Sequence, residues 1–165
     1  MRRTLLRFAA ADSVYGFVGL GKMGSGMVHY LAAAGHNLVI YDVNSSTTEA
    51  LAATTLPEGS GSLTAAATPA EVMAMSTSGV VLSMVPNDKC LNDVVLGTDG
   101  LAAGASVAPA SPMLHVSCST VSPFTSRDLA ETTASWCTHI SAPVFARPDG
   151  IAARQAFFPI SGGDS

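Results

Sequence analysis

The chain is 165 residues long, enough to close one hydrophobic core but too short for a core plus a second sizeable domain. Its 8 basic residues against 12 acidic ones leave a net charge of −4, which excludes the basic footprint of a nucleic-acid binder. The longest apolar stretches, such as Gly79 to Val85, are strand-sized and broken by Ser83, far below the roughly 20 residues that span a bilayer, so no membrane partner is expected.

Residues 1 to 13 carry Arg2, Arg3 and Arg7 with no acid before Asp12. They read as a lead-in to the first strand, either disordered or the remnant of a basic, amphipathic targeting segment. Cys90, Cys118 and Cys137 are widely spaced and follow no secretory signal. Reduced thiols are therefore expected, in the cytoplasm or the mitochondrial matrix.

Tyr15 to Val18 is a short apolar run suited to a buried parallel strand, and it leads into Gly19, Gly21 and Gly24, spaced as GxGxxG. Each glycine has its own task. The first permits a tight turn, the second lets backbone approach a pyrophosphate, and the third lets the next helix pack closely. The loop residues Leu20, Lys22 and Met23 join them as candidate cofactor contacts. The helix that follows has N–H groups without intrahelical partners at the positive end of its dipole, so it can hold a diphosphate with no help from Lys22. Gly35 is the expected stop, and Leu38 to Tyr41 makes a second strand ending at Asp42.

Asp42 stands 42 − 24 = 18 residues past the last glycine, close to the spacing at which an acid accepts hydrogen bonds from a ribose diol. A carboxylate there repels a 2′-phosphate, so NAD is expected over NADP. Val43 and Asn44 follow it as further candidate contacts, and no arginine lies close behind.

Ser45 to Ala53 reads as a short helix, and a weak strand is expected around Leu63. Thr68, Pro69 and Glu71 form a capping-box start for a helix running to about Ser76. Gly79 to Met84 is a strand covered on both faces. Val85, Pro86 and Asn87 sit at its carboxyl end, where open α/β sheets bind ligands; Asn87 also suits the cap of a helix through Val95. Met113 to Ser117 is a strand, Pro123 to Ala134 a helix, Trp136 to Ile140 a strand and Phe157 to Ile160 a last one. Strands alternating with helices predict an α/β, doubly wound, mostly parallel sheet with helices on both faces.

Four stretches then resemble one family in the right order: GFVGLGKMGSGM at Gly16 to Met27, SMVPND at Ser83 to Asp88, SCSTVSP at Ser117 to Pro123, and SAPVFARP at Ser141 to Pro148. They resemble the amino-terminal, Rossmann-type NAD(P)-binding domain of the 3-hydroxyisobutyrate dehydrogenase and 6-phosphogluconate dehydrogenase family, the β-hydroxyacid dehydrogenases, over about residues 14 to 163. The resemblance implies that Ser119 and Thr120 lie beside the nicotinamide and that Ser119 contacts substrate. It also implies a small-molecule carboxylate or aldehyde substrate and a homo-oligomer.

Two motifs depart from the family pattern. Ser141 and Phe145-Ala146-Arg147 replace an acid and a Ser-Gly-Gly loop that cradles a carboxylate, and Ser117 replaces an aspartate. Arg147 is the candidate replacement, through a bidentate contact. The family's general acid/base lysine and its all-helical second domain follow the last Rossmann strand. Neither Lys22 nor Lys89 occupies that lysine's place, so no catalytic residue is expected in these 165 residues, and they are expected to be inactive alone. Three functions fit this reading: the cofactor-binding part of an NAD-dependent dehydrogenase, a non-catalytic NAD-binding module, or a family reductase acting on short aldehydes or imines.

Overall fold

The computed structural model describes residues 13–108 and 113–162. The lead-in expected over residues 1 to 13 lies almost wholly outside them. The elements run β1 (Val14–Val18), α1 (Lys22–Ala33), β2 (Asn37–Tyr41), α2 (Ser45–Ala52), β3 (Leu63–Ala65), α3 (Pro69–Met75) and β4 (Val80–Ser83). The second half continues with α4 (Asp88–Leu96), α5 (Leu101–Gly104), a 3₁₀ turn at Ala105–Val107, β5 (Met113–Ser117), α6 (Pro123–Thr133), β6 (Cys137–Ser141), α7 (Pro148–Ala152) and β7 (Ser161–Gly162). The sheet order is β3-β2-β1-β4-β5-β6-β7. Strand order therefore reverses between β1 and β4, the point at which a crevice opens beyond the carboxyl ends of the strands.

The two-residue alternation of the strands divides the core. Phe17, Leu38 and Ile40 pack with Met27, Val28 and Ala32 of α1, Leu51 of α2 and Ile151 of α7. Val18, Val39, Val81 and Met113 pack on the other face with Val72 and Met73 of α3, Leu91 and Val95 of α4, Leu101 of α5 and Leu129 of α6. Both faces are covered, which explains why the central strands read as continuous apolar runs. Among the described residues no helix is long and apolar enough to cross a membrane.

Local signals account for the helix starts. Thr68 Oγ1 accepts the Glu71 N–H at 3.1 Å, and the Glu71 carboxylate reaches back to the Ala67 N–H at 2.7 Å, one residue before the cap itself. Asn87 Oδ1 accepts from Cys90 N–H at 2.9 Å and so caps α4.

The fold differs from expectation at the helical stretch after α4, at α7 and at the last strand. The helical stretch from Leu101 to Val107 has no amphipathic repeat long enough to announce it; α5 forms because Leu101 is driven into the core and Gly104 lies against the backbone of Ala70. The last strand is not Phe157 to Ile160. Phe157 makes a single antiparallel bridge with Phe145, and β7 is the pair Ser161–Gly162, antiparallel to β6. Pro159 has no N–H to give to a ladder. The segment after β6 also spends its length on the Phe145 bridge and on α7, which packs against α1, and so returns along the edge in the opposite sense. The rings of Phe145 and Phe157 meet edge to face at 6.4 Å and stay largely exposed, whereas Phe158 packs against the core.

A polar seam crosses β4, β5 and β6 inside the otherwise apolar α3–α6 face. His115 and His139 stand directly opposite each other in register, and their Nδ1 atoms are 3.0 Å apart. His115 Nε2 lies 2.9 Å from Ser83 Oγ. One proton serves the Nδ1–Nδ1 contact, so two neutral rings fit it and two charged rings would put N–H against N–H. Desolvation, and then the neighbouring His139, pushes the His115 pKa down to about 3; desolvation lowers that of His139 as well.

Because both folded-state values lie below the ordinary 6.5, the stability these rings contribute is complete above about pH 6.5. It declines as pH falls toward the folded-state value of about 3. Each ring should contribute a slope of up to about 1.4 kcal/mol per pH unit in that window. Urea unfolding between about pH 7 and about pH 4.5 should show this loss, and a His115→Leu/His139→Leu double variant should show a flatter profile. Equal slopes in the two proteins would assign the acid limit to other groups.

Candidate functional site

The loop between β1 and α1 is wedged among the carboxyl ends of three strands. Gly19 N–H donates to the Tyr41 carbonyl at 2.8 Å, and Met84 N–H donates to the Val18 carbonyl at 2.8 Å. Gly19 has φ of 94°, and a Cβ there would collide with the Met84 carbonyl oxygen, so both the conformation and the space demand glycine. A Cβ on Gly24 would collide with the Gly19 carbonyl oxygen; its absence lets α1 sit down on the loop. Gly21 differs from both. It precedes the first residue of α1, and among the described residues no atom lies within 4 Å of where its Cβ would be. The space over Gly21 is open, and α1 starts there without any side-chain cap. Its first-turn N–H groups face that space with no partner of their own.

Asp42 closes the other side of the loop. Its Oδ2 accepts the Leu20 N–H at 2.7 Å and its Oδ1 accepts the Asn44 N–H at 2.9 Å. Its own N–H donates to Thr48 Oγ1 at 2.9 Å, which ties it to α2. A carboxylate has about four acceptor directions, so two remain for a ligand.

These groups line a cavity of about 850 Å³ at the reversal of strand order. Gly19, Gly21, Lys22, Met23, Gly24, Asp42, Val43, Val85 and Pro86 lie on its wall. Of the other residues expected there from sequence, Leu20 turns its side chain into the core and Asn44 holds Asp42 through its backbone. Thr120 is exposed and away from the lining. Further lining residues were not foreseen: Tyr41, Pro69, Cys90, Asp93, Val94, Gly97, Thr98 and Asp99. Gly97 and Gly100 mark a loop in the sequence, but nothing in their spacing says which strand's end that loop will face.

The remaining candidates stand apart from this cavity. Ser119 is fully buried, and its Oγ accepts the Val85 N–H at 2.8 Å, bracing the end of β4 against the end of β5. Arg147 is exposed at the residue before α7. Neither lines the cavity.

Sequence comparison decides the family. The model of the NAD binding domain of 6-phosphogluconate dehydrogenase matches residues 14–165. The chain belongs to that family. A 3-hydroxyisobutyrate dehydrogenase of Pseudomonas aeruginosa is 32% identical over 147 residues, covering 88% of this chain and 45% of the relative. A 3-sulfolactaldehyde reductase of Escherichia coli is 31% identical over 129 residues, covering 78% of this chain and 39% of the relative. Among solved structures, a Mycobacterium tuberculosis 3-hydroxyisobutyrate dehydrogenase with L-serine superposes with a TM-score of 0.76 at 25% identity, covering 92% of this chain and 47% of the other. The chain thus spans less than half the length of these relatives, and the domain is an NAD(P)-binding, Rossmann-type unit of a dehydrogenase family.

The three thiols of the domain differ in reactivity for a structural reason. Burial pushes Cys118 up to about 12 and Cys137 up to about 11, so neither offers thiolate near neutrality. Cys90 is partly exposed on the cavity wall. Alkylation of the folded protein at about pH 8 should therefore modify Cys90 alone, with the other two reacting only after denaturation, as read by peptide mass spectrometry.

Proposed function

We propose that this domain holds the cofactor of an NAD-dependent oxidoreductase that interconverts a small β-hydroxy acid and its carbonyl form. The observation that carries the reading is the pairing, across one cavity, of an uncapped helix start over Gly21 with the carboxylate of Asp42. The α1 N–H groups and the open surface of Gly21 would hold the diphosphate, with Lys22 adding charge at that end. Asp42 would accept the ribose hydroxyls. Val85 and Pro86, at the carboxyl end of β4, would flank the nicotinamide side. When bound, the dinucleotide supplies hydride exchange at its nicotinamide C4.

NAD is proposed over NADP because Asp42 has no cation partner within ion-pair distance among the described residues. A 2′-phosphate placed there would meet a carboxylate whose negative charge is not neutralised. Substrate contacts are assigned to exposed Thr120 and Arg147, with Ser119 as the brace that keeps its own O–H for a partner while accepting from Val85. Proton exchange with the substrate hydroxyl needs a general acid/base. Lys22, the lysine on the cavity wall, belongs to the diphosphate end, so that step is assigned to a residue outside the described wall and turnover by these residues alone is not expected.

A Gly21→Val variant should keep its fold, since no atom of the described residues stands in the way, and lose NAD binding because the side chain fills the space of the diphosphate. Calorimetry beside a thermal melt separates the two effects; a folded variant with unchanged affinity would remove the glycine loop from the site. Asp42→Asn should weaken NAD and strengthen NADP, shifting their ratio by about 10-fold or more, which corresponds to about 1.4 kcal/mol. An unmodified protein that binds NADP more tightly would overturn the role given to Asp42.

A further inference from the structure

The adenosine end of the cavity has two walls of different make, and Asp42 stands on only one of them. Opposite are Val94 and Asp93 of α4, then Thr98 and Asp99 in the turn that follows. Apolar surface between the walls comes from Val43, which is 90% exposed, and from Pro69 and Val94. That surface suits the two faces of a flat base. The polar groups that remain differ in their state of pairing. Asp93 is held by Lys89 at 2.5 Å, whereas Asp99 has no cation within ion-pair distance among the described residues.

Asp99 is nonetheless held in place. Its carbonyl accepts the Ala70 N–H at 2.9 Å, pinning the turn to the first turn of α3, and Gly100 N–H closes the same turn onto the Gly97 carbonyl at 2.9 Å. A Cβ on Gly97 would press into the Asp93 backbone of α4, and one on Gly100 into the backbone of Gly97, so the path of the turn has little freedom. Tyr41 lines the same cavity, and burial, then Asp42, then Asp99 raise its hydroxyl's pKa. Asp42 and Asp99 therefore act on one phenol from two walls, and an ionised carboxylate is an acceptor with no proton to give.

Given the dinucleotide reading above, on which this rests, we propose that Asp99 reads the base: it accepts a hydrogen bond from the exocyclic amine of adenine and rejects a purine that presents a carbonyl at that position. The physical reason is the asymmetry between a satisfied and an unsatisfied contact. An amine meets the carboxylate as donor to acceptor, whereas a carbonyl oxygen meets it as acceptor to acceptor and leaves that contact unmade. Asp42 then selects the sugar and Asp99 the base, from opposite walls.

The test compares NAD with its hypoxanthine analogue, in which the amine is replaced by a carbonyl, by calorimetry on the 165-residue protein. The unmodified protein should bind NAD at least about 10-fold more tightly than the analogue. Asp99→Asn, whose carboxamide can donate as well as accept, should bring the two affinities within about 3-fold, while Asp42→Asn should change affinity for both and leave their ratio as it was. Equal binding of both dinucleotides by the unmodified protein, or an unchanged ratio in a folded Asp99→Asn variant, would overturn the role of Asp99 while leaving the cofactor site intact. Binding of neither dinucleotide would instead overturn the site itself and this inference with it.

Discussion

Everything at the ligand end of this domain depends on one close approach, that of Gly24 to the Gly19 carbonyl. A side chain on Gly24 would need the position of that oxygen. Its absence lets the start of α1 lie directly against the turn out of β1, and only then do the free N–H groups of the helix and the open surface of Gly21 face the same cavity. The Gly19 N–H bond to Tyr41 and the Asp42 bond to the Leu20 N–H complete the arrangement by tying the loop to the end of β2. The open surface at Gly21 and the Asp42 carboxylate are thus joined in one unit through backbone groups.

The rest of the sheet serves to bring the second wall across. Reversal of strand order between β1 and β4 sends α4 to the far side of the crevice, and the turn after α4 is fastened to α3 through the Asp99 carbonyl. Ser119 does comparable work one strand further on, bracing β4 through the Val85 N–H. A buried hydroxyl at that position has a structural duty whatever else it does, because the Val85 N–H would otherwise be an unpaired donor in the interior.

The histidine seam has a different character. Most of this face is held by area removed from water, a contribution with little dependence on pH. His115 and His139 add two groups that fit only when neutral, so the carboxyl half of the sheet carries an acid sensitivity that an apolar pair would not have. At the edge beyond them β7 is two residues long and the Phe145 and Phe157 rings stand exposed.

Much of the architecture was legible because local chemistry and tertiary demand agree. The glycine spacing, the Asp42 interval, the Thr68 and Asn87 caps and the apolar strand runs each specify a conformation through a few neighbouring atoms, and the structure has them where the residues say. The last strand was not legible. Phe157 to Ile160 has the composition of a strand, but Pro159 and the return past α7 leave it one bridge and move the pairing to Ser161–Gly162. Sequence by itself determined the fold class, the cofactor class and the glycine loop that opens onto the cavity, since these rest on backbone conformations that only certain residues permit. Only the tertiary structure decided that Tyr41, Cys90 and Asp99 share a cavity with Asp42, that Ser119 points inward, and that two histidines 24 residues apart touch. Those are meetings between segments distant in the chain, and strand order and register set them with no trace in local pattern.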